Sequence, residues 1–214
     1  GLAVSDWTQA FGKIPVAFDW SGVEMAFVSA HKIGGPKGIG ALILRRGHDV
    51  TARIRGGGQE MGRRSGTENL IGVAGFGAAA RAAAQELDAG VWTRVDKLRN
   101  ILENTLEQRA SETIFVGKGA ARLPNTSLMV TPGWKGETQV MQMDLAGFAV
   151  SAGSACSSGK VRASGVLQAM GHDDASAAAA LRVSLGPDTT EADIDAFAAA
   201  WGTARDRWAR RGRG

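Results

Sequence analysis

The sequence predicts an α/β fold in which an α/β part is followed by a smaller α+β part. Strand-like and helix-like segments alternate in the first part and mix in the second, a pattern that separates these two fold classes. The 214 residues are 44% hydrophobic and 21% charged, so the chain is long and apolar enough to bury a substantial core. We place the boundary after residue 88 and predict domains at 1–88 and 89–214.

The first part contains two predicted strands and the first of two predicted helices. VEMAFVSA (23–30) and GALILRR (40–46) read as strands, and the glycine-rich segment between them excludes a regular element. RGGGQEMGRRSGTEN (55–69) is too polar and too rich in glycine to form a core element. The Ala-rich stretch 70–89 predicts a helix. A second helix follows, whose apolar stripe consists of Val91, Val95, Leu98, Leu102 and Leu106.

The second part mixes strands and helices. Predicted strands are TIFVG (113–117), NTSLMVT (125–131), FAVSA (148–152) and ALRVSLG (180–186). ETQVMQMDLAG (137–147) reads as a helix that ends before its last residue, Gly147. Thr190 and Asp193 form a capping-box pattern that opens a final helix. The buried side of that helix is predicted to carry Ile194, Phe197, Trp201 and Trp208. The Ala run 177–180 resembles low-complexity filler.

The single cysteine, Cys156, and the lack of long apolar runs limit the cellular setting. One cysteine excludes a disulfide within the chain, which indicates a reducing, cytoplasmic location. No run approaches the roughly 20 apolar residues that cross a bilayer, so we expect no membrane span. The opening residues GLAVSDW lack a Met, and we expect a fragment or a processed chain rather than a native start.

The net charge of +4 comes largely from arginines near the end of the chain. A basic tail of this kind contacts nucleic acid or an acidic partner, or else it is a solvated, partly frayed helix end. We favour the helix end and expect no direct contact with nucleic acid, because no nucleic-acid motif accompanies the charges. The arginines are Arg205, Arg207, Arg210, Arg211 and Arg213.

Lys32 follows a predicted strand and precedes the glycine-rich turn of HKIGGPKGIG (31–40). A lysine at this point is poorly placed for a solvated surface role, and burial would lower its pKa and free the amine for a Schiff base. His31 offers an acid–base group near neutral pH, and Ser29 offers a hydroxyl to a phosphate. On these residues alone, a turn without chemical meaning is an equal alternative.

Two other patterns carry less information. GFGAAA (75–80) matches a relaxed dinucleotide-binding pattern, but it lies within a predicted helix, so close helix packing explains its small residues. His48 and His172 lie in loop-like segments without metal-ligand spacing. We interpret both histidines as surface residues and predict no metal site.

Five motifs occur in order: DWTQAFGKIPV (6–16), SAHKIGGPKGIGAL (29–42), GGGQEMGRRSGTEN (56–69), SAGSACSSGK (151–160) and ALRVSLG (180–186). With these motifs the chain closely resembles the pyridoxal-phosphate-dependent cysteine desulfurases of the NifS/IscS type, within the class V aminotransferase-like group. The resemblance implies the fold type I of such transferases, reduced to the end of the large-domain sheet and the C-terminal small domain. The family's preceding segment, with its ring-stacking histidine and phosphate loop, is expected to lie outside this sequence.

The resemblance implies a pyridoxal 5′-phosphate site around Lys32, which holds the cofactor in the family. Asp6 corresponds to the aspartate that keeps the pyridine nitrogen protonated, so that the ring acts as an electron sink. Gln9 corresponds to the glutamine that donates to the phenolic oxygen. Ser29 and His31 correspond to residues that hold the phosphate and the region around the lysine.

Three further positions acquire roles from the resemblance. Thr67 is expected to reach the phosphate of the neighbouring subunit, which implies a homodimer. Arg182 is expected to clamp the substrate carboxylate with its planar pair of donors. Asn125, in LPNTS, matches a common family sequence and is expected to line the substrate site.

Cys156 resembles the family's persulfide-forming nucleophile. The resemblance implies that its thiolate takes sulfur from L-cysteine, leaves L-alanine, and passes the sulfur to an iron–sulfur scaffold or another acceptor. Lys160 and Arg162 would lower the pKa of the thiol if they approach it. Taken alone, a single cysteine is more often an inert structural thiol.

Two alternatives stay open. Another class V enzyme, such as a selenocysteine lyase or an aminotransferase, would share the cofactor residues, although amino transfer needs no nucleophilic thiol. A non-catalytic interaction module would instead use the small domain to dock a scaffold protein without any cofactor.

Overall fold

The computed structural model of the protein describes residues 1–152 and 164–211. The chain divides into two compact units, Gly1–Val91 and Trp92–Gly214. Its described strands are β1 (Val4–Asp6), β2 (Met25–Ser29), β3 (Gly40–Leu44), β4 (Ile114–Phe115), β5 (Thr126–Val130), β6 (Ser151–Ala152) and β7 (Ala180–Ser184). Its described helices are α1 (Leu70–Asp88), α2 (Val91–Arg109), α3 (Gly136–Leu145), α4 (Gly165–Ala169), α5 (Asp174–Ala178) and α6 (Glu191–Arg211). The domain boundary placed after residue 88 stays a prediction.

The first unit contains a three-stranded sheet in the order β1-β2-β3. β1 and β2 are parallel, with Asp6 opposite Phe27, whereas β3 runs antiparallel to β2. The strands predicted over 23–30 and 40–46 are confirmed with slightly shorter bounds. Because β1 and β2 are parallel neighbours, the segments that follow their carboxyl ends begin at the same edge of the sheet.

Helix α1 begins and packs as its sequence predicts. The Asn69 side-chain oxygen accepts a hydrogen bond from the backbone N–H of Gly72 at 3.0 Å, which caps the helix. A Cβ atom at Gly75 would lie 2.5 Å from Cγ of Pro36. The close approach of the helix to this proline therefore requires a glycine, which confirms the packing explanation for the small residues of this segment.

The second unit contains a four-stranded sheet in the order β4-β5-β7-β6, and all of its neighbouring strands are antiparallel. Helix α2 presents its predicted apolar stripe to the core, since Val95, Leu98, Leu102 and Leu106 are each at most 4% exposed. Val91, the first residue of the helix, is half-buried. The 3.6-residue periodicity in the sequence is thus confirmed as the periodicity of burial.

A buried amide joins three segments of the second unit. Gln139, on α3, is fully buried and its Nε2 donates to the carbonyl oxygens of Trp134 and Ala179. Its Oε1 accepts from the indole N–H of Trp201 on α6 at 3.1 Å. Because the amide is satisfied on both sides, it fixes these segments without leaving an unpaired polar group at its centre.

The strand predicted over 148–152 is wrong in its first half. Gly147 has φ +87° and its N–H donates to Asp144, while the N–H of Phe148 donates to the carbonyl oxygen of Met143. These bonds form the C-terminal cap of α3. Phe148 therefore belongs to the helix end, where its ring contacts Phe197, and only Ser151–Ala152 form the strand β6.

The Ala run 177–180 is not filler, contrary to prediction. Ala177, Ala179 and Ala180 are each at most 2% exposed and belong to a hydrophobic cluster with Val130 and Leu167. The backbone of α3 also comes very close to the last residue of this run. A Cβ atom at Gly136 would lie 2.3 Å from the carbonyl oxygen of Ala180.

Helix α6 confirms its predicted cap and buried side. Asp193 accepts hydrogen bonds from the N–H and the hydroxyl of Thr190, each at 2.8 Å. Ile194, Phe197 and Trp201 are at most 5% exposed. The last predicted member, Trp208, is half-buried and its ring stacks on that of Trp134.

The described arginines at the basic end of the chain lie on α6, where Arg207, Arg210 and Arg211 are exposed to solvent. Helix α6 continues to Arg211, and Arg205 forms an ion pair with Glu112. The hydrogen bond from Arg205 to Glu112 raises the pKa of Arg205. Desolvation is the largest influence on Glu112 and raises its pKa, but the hydrogen bonds to Glu112 and the charge of Arg205 together outweigh it, so the pKa of Glu112 is lowered. Within residues 1–152 and 164–211, no helix combines the length and apolarity that a membrane crossing requires.

Candidate active site

Five of the predicted site residues lie in two adjacent segments of the first unit. Asp6 is the last residue of β1, and Gln9 lies in the turns that follow it. Ser29 is the last residue of β2, and His31 and Lys32 lie in the short 3-10 helix Ala30–Ile33. Since β1 and β2 are parallel neighbours, both groups of side chains stand at one edge of the sheet.

The Asp6 carboxylate is exposed and held by the turn that follows it. Its Oδ1 accepts the backbone N–H of Thr8 at 2.8 Å. Hydrogen bonds from the Thr8 side chain and then its backbone keep the pKa of Asp6 below the usual value. The carboxylate is therefore anionic at neutral pH and suited to a protonated ring nitrogen or another cation.

The position of Lys32 follows from one tight turn. Ala30 is fully buried, whereas His31 and Lys32 are exposed. Gly34 ends the turn with φ +80°, and the N–H of Gly35 donates to the carbonyl oxygen of Ala30 at 2.9 Å. The expected burial of Lys32 is wrong for the described residues, because the turn buries its first residue and directs the next two outward.

A residue that the sequence did not single out lies beneath these two segments. Lys13 is only 7% exposed, and its Nζ donates to the carbonyl oxygen of Gln9 at 3.2 Å and to that of Lys32 at 3.3 Å. Burial, followed by the nearby charge of Lys32, lowers the pKa of Lys13. No local pattern marks a lysine as buried, because the burial arises from contacts with a segment distant in sequence.

Thr67 lies in the segment between the 3-10 helix Gln59–Gly62 and α1, and it is exposed. This segment is shaped by backbone conformations that the sequence did not reveal. Glu60 and Met61 have φ of +52° and +57°, in the left-handed region that residues other than glycine rarely adopt. The hydroxyl of Ser65 donates to the carbonyl oxygen of Gly57 at 2.8 Å and closes the segment on itself.

Arg182 and Asn125 lie in the second unit. Arg182 is half-buried in the middle of β7, opposite Ser151 of β6 and Leu128 of β5, and its Nη2 donates to the Ser151 hydroxyl at 3.3 Å. Asn125 directly precedes β5, and its carbonyl oxygen accepts the N–H of Leu185 at 2.8 Å. Strand pairing therefore fixes the backbone of Arg182, and the hydrogen bond to Leu185 fixes the backbone of Asn125.

A buried ion pair supports the same sheet. Glu103 of α2 is 1% exposed and accepts hydrogen bonds from both terminal nitrogens of Arg122, at 2.9 and 3.0 Å. It also accepts from Ser127 of β5 at 2.7 Å. Burial opposes ionisation of Glu103, but the bonds from Arg122 and Ser127 outweigh burial and lower its pKa.

Cys156, Lys160 and Arg162 lie outside the described residues. The described part of the chain ends before them at β6, whose Ser151 contacts Arg182. Among residues 1–152 and 164–211, no three His, Cys, Asp or Glu side chains are grouped as a metal site would require. His48 and His172 are half-buried rather than fully exposed.

Comparison with known proteins identifies the group to which this arrangement is related. Residues 2–197 match the aminotransferase class-V family. A cysteine desulfurase of Gluconacetobacter diazotrophicus is 44% identical over 191 residues, which cover 89% of this chain and 48% of that relative. The chain spans about half the length of the curated relatives it matches.

Two solved structures resemble the fold. A NifS-like protein from Rickettsia africae matches with a TM-score of 0.85 and 35% identity, covering 95% of this chain and 53% of the other. A structure of SspA in complex with cysteine matches with a TM-score of 0.64 and 28% identity, covering 87% of this chain and 51% of the other. These similarities confirm the predicted fold class.

Proposed function

Because the chain belongs to the class V aminotransferase family, we propose that it forms the lysine- and cysteine-bearing part of a pyridoxal-phosphate-dependent cysteine desulfurase. The observation that carries the proposal is the placement of an anionic Asp6 and an outward-facing Lys32 after adjacent parallel strands. The 44% identity to a relative named cysteine desulfurase supports desulfuration rather than another activity of the family.

The residues at this edge fit pyridoxal 5′-phosphate by their chemistry. Asp6 supplies a carboxylate for the pyridine nitrogen, Lys32 an amine for the aldehyde, and Ser29 a hydroxyl for the phosphate. Gln9 supplies an amide donor for the phenolic oxygen, and His31 an acid–base group beside Lys32. When bound, the cofactor supplies an electron sink that weakens bonds at the substrate's α- and β-carbons.

The second unit supplies the groups for the substrate. Arg182 offers a planar guanidinium that binds a carboxylate through two parallel hydrogen bonds. Its hydrogen bond to Ser151 leaves other donors of the guanidinium available for this purpose. Asn125 offers a side-chain amide beside the same sheet. We propose L-cysteine as the substrate, which is consistent with the cysteine bound by the related SspA.

Cys156 is the proposed sulfur acceptor. Its thiolate attacks the sulfur of L-cysteine, an S–S bond forms and the C–S bond breaks. The electron pair of that bond stays on the substrate carbon, which takes a proton and becomes L-alanine. Cys156 is left as a persulfide, from which the sulfur passes to an iron–sulfur scaffold or another acceptor.

The test is production of L-alanine and of protein-bound sulfur from L-cysteine in the presence of the cofactor. Cys156→Ser should abolish the persulfide, detected by a thiol-specific mass shift, while Ser158→Ala in the same segment should leave it unchanged. Persistent sulfur transfer in Cys156→Ser would contradict the assigned nucleophile. An aminotransferase would instead transaminate equally well with either residue at position 156.

A non-catalytic interaction module is the second candidate. The exposed Arg207, Arg210 and Arg211 of α6 favour it, because a group of cations on one helix end suits an acidic docking partner. A colourless protein that binds a cluster scaffold without binding the cofactor would establish this role. Failure to bind any scaffold or sulfur acceptor would exclude it.

We also propose that the protein is a cytoplasmic homodimer in which Thr67 contacts the partner's cofactor phosphate. The exposure of Thr67 supports this arrangement, since a side chain that serves a neighbour has to face outward. Sedimentation of the purified chain measures the dimer, and cell fractionation measures the location. A monomer at concentrations well above micromolar would contradict the homodimer.

A further inference from the structure

Lys13 connects the two segments that carry the proposed cofactor residues. Its Nζ donates to the carbonyl oxygens of Gln9 and Lys32, which lie 23 residues apart in sequence. Gln9 belongs to the turns after β1, and Lys32 belongs to the 3-10 helix after β2. One ammonium group thus ties the backbone of one segment to the backbone of the other.

The local backbone brings Lys13 to this point. The N–H groups of Ala10 and Phe11 donate to Trp7, and that of Lys13 donates to Ala10, so the chain after β1 turns back beneath Gln9. Gly12 has φ +77°, and a Cβ atom there would lie 2.9 Å from both Ala83 and Ile33. Only a glycine allows this close packing, which places the next residue inside the unit.

Burying the ammonium group of Lys13 carries a desolvation penalty. Its desolvation disfavours the charged form, so a lysine that is 7% exposed persists as a cation only when strong acceptors meet it. Methionine would fill a similar volume without that penalty. The presence of lysine is therefore explained by what its hydrogen bonds hold, which is the relative position of the two segments.

We propose that Lys13 is a positioning residue of the cofactor site. Its buried ammonium fixes the backbone at Gln9 against the backbone at Lys32 and so sets the spacing between the amide and the amine that these residues present. In this role Lys13 acts through the two segments rather than on a reacting atom. The cofactor part of this inference rests on the proposed function, whereas the tether between the two segments does not.

Hydrogen–deuterium exchange of the cofactor-free chain tests the tether. In Lys13→Met, peptides covering 7–14 and 29–35 should exchange at least about tenfold faster, because the hydrogen bonds from the ammonium to both segments are lost. Lys13→Arg keeps the charge and donors and should restore most of the protection. Lys37→Met, at an exposed lysine of the neighbouring glycine-rich turn, is the matched control and should change neither peptide.

The pattern of exchange separates positioning from general stabilisation. If Lys13 only stabilised the unit, Lys13→Met would also accelerate exchange in peptides from the middle of α1, and Lys13→Arg would not rescue the two segments selectively. Unchanged exchange, or a uniform increase over the whole unit, would overturn the proposal. Far-ultraviolet circular dichroism like that of the wild type shows that Lys13→Met still folds, even if its unfolding midpoint is lower.

Cofactor binding tests the rest of the inference. The dissociation constant of pyridoxal 5′-phosphate, measured by absorbance, should rise about tenfold in Lys13→Met and recover in Lys13→Arg. An unchanged dissociation constant in Lys13→Met would overturn the cofactor role of Lys13. The tether between the two segments would then be judged by hydrogen–deuterium exchange alone. A wild-type chain that binds no cofactor would refute the proposed function and, with it, the cofactor role of Lys13.

Discussion

Replacing Glu103 by glutamine removes the buried charge that supports the second-unit sheet. The substitution keeps the shape of the side chain but leaves Arg122, whose side chain is 15% exposed, without its anionic partner. The loss of one member of a buried ion pair typically costs 3–5 kcal/mol, and the polar amide retains part of the bonding, so we expect about 3 kcal/mol at pH 7. Because Glu103 also accepts from Ser127, the effect should loosen β5 beside β7, the strand of Arg182.

The matched control lies one turn along the same helix. Glu107 pairs with Lys118 at 2.7 Å, but these side chains are 51% and 39% exposed, so Glu107→Gln should cost at most about 1 kcal/mol. Urea unfolding followed by tryptophan fluorescence measures both variants. A loss for Glu103→Gln no larger than that for Glu107→Gln would refute the claim that burial makes this ion pair important.

The pH dependence of this effect has a definite sign. Since the pKa of Glu103 is lowered in the folded protein, its contribution is complete above the unfolded value of about 4.3 and is lost as the pH falls through the lower folded value. The difference in unfolding free energy between the wild type and Glu103→Gln should therefore shrink below about pH 4. If the difference in unfolding free energy stayed constant from pH 7 to pH 3, the ionised form of Glu103 would not be the source of the stabilisation.

Three further substitutions test other parts of the account. Asp6→Asn should weaken binding of pyridoxal 5′-phosphate about tenfold or more, measured by absorbance titration, because a charge-assisted hydrogen bond is lost; unchanged binding would remove Asp6 from the site. Gly136→Ala should destabilise the second unit by about 1–3 kcal/mol in urea unfolding, since the added Cβ meets the carbonyl oxygen of Ala180 at 2.3 Å. Thr190→Ala should cost about 1 kcal/mol in the same assay by removing the cap shared with Asp193, and no loss would contradict the cap.

The helices α1, α2, α3 and α6 were predictable from the sequence because their signals are local, whereas the short α4 and α5 were not predicted. The stripe of α2 and the cap of α6 depend on residues three or four apart, and helix geometry alone brings such residues together. The end of α3 was predictable at Gly147 for the same reason. The strand wrongly predicted over 148–152 shows the limit of such local signals. The N–H of Phe148 donates to the carbonyl oxygen of Met143, so this residue belongs to the end of the helix.

The candidate site was predictable in its motifs and less so in its environment. The predicted strand over 23–30 placed Lys32 just beyond a strand end, and in the structure it lies in the 3-10 helix Ala30–Ile33 that follows β2. The exposure of Lys32 reverses the sequence-based expectation, and the burial of Lys13 was not anticipated from the sequence. Burial depends on which distant segments pack together, such as Gly12 against Ala83, and a single sequence does not report those contacts.

The assignment of Lys32 is tested most directly by fixing the cofactor chemically. The purified chain is incubated with pyridoxal 5′-phosphate, freed of excess, reduced with borohydride and mapped by peptide mass spectrometry. We expect a visible absorbance band before reduction and label concentrated on Lys32, with little on the exposed Lys37 nearby. Absence of the band, or label spread evenly over surface lysines, would contradict the claim that these two strand ends form a cofactor site.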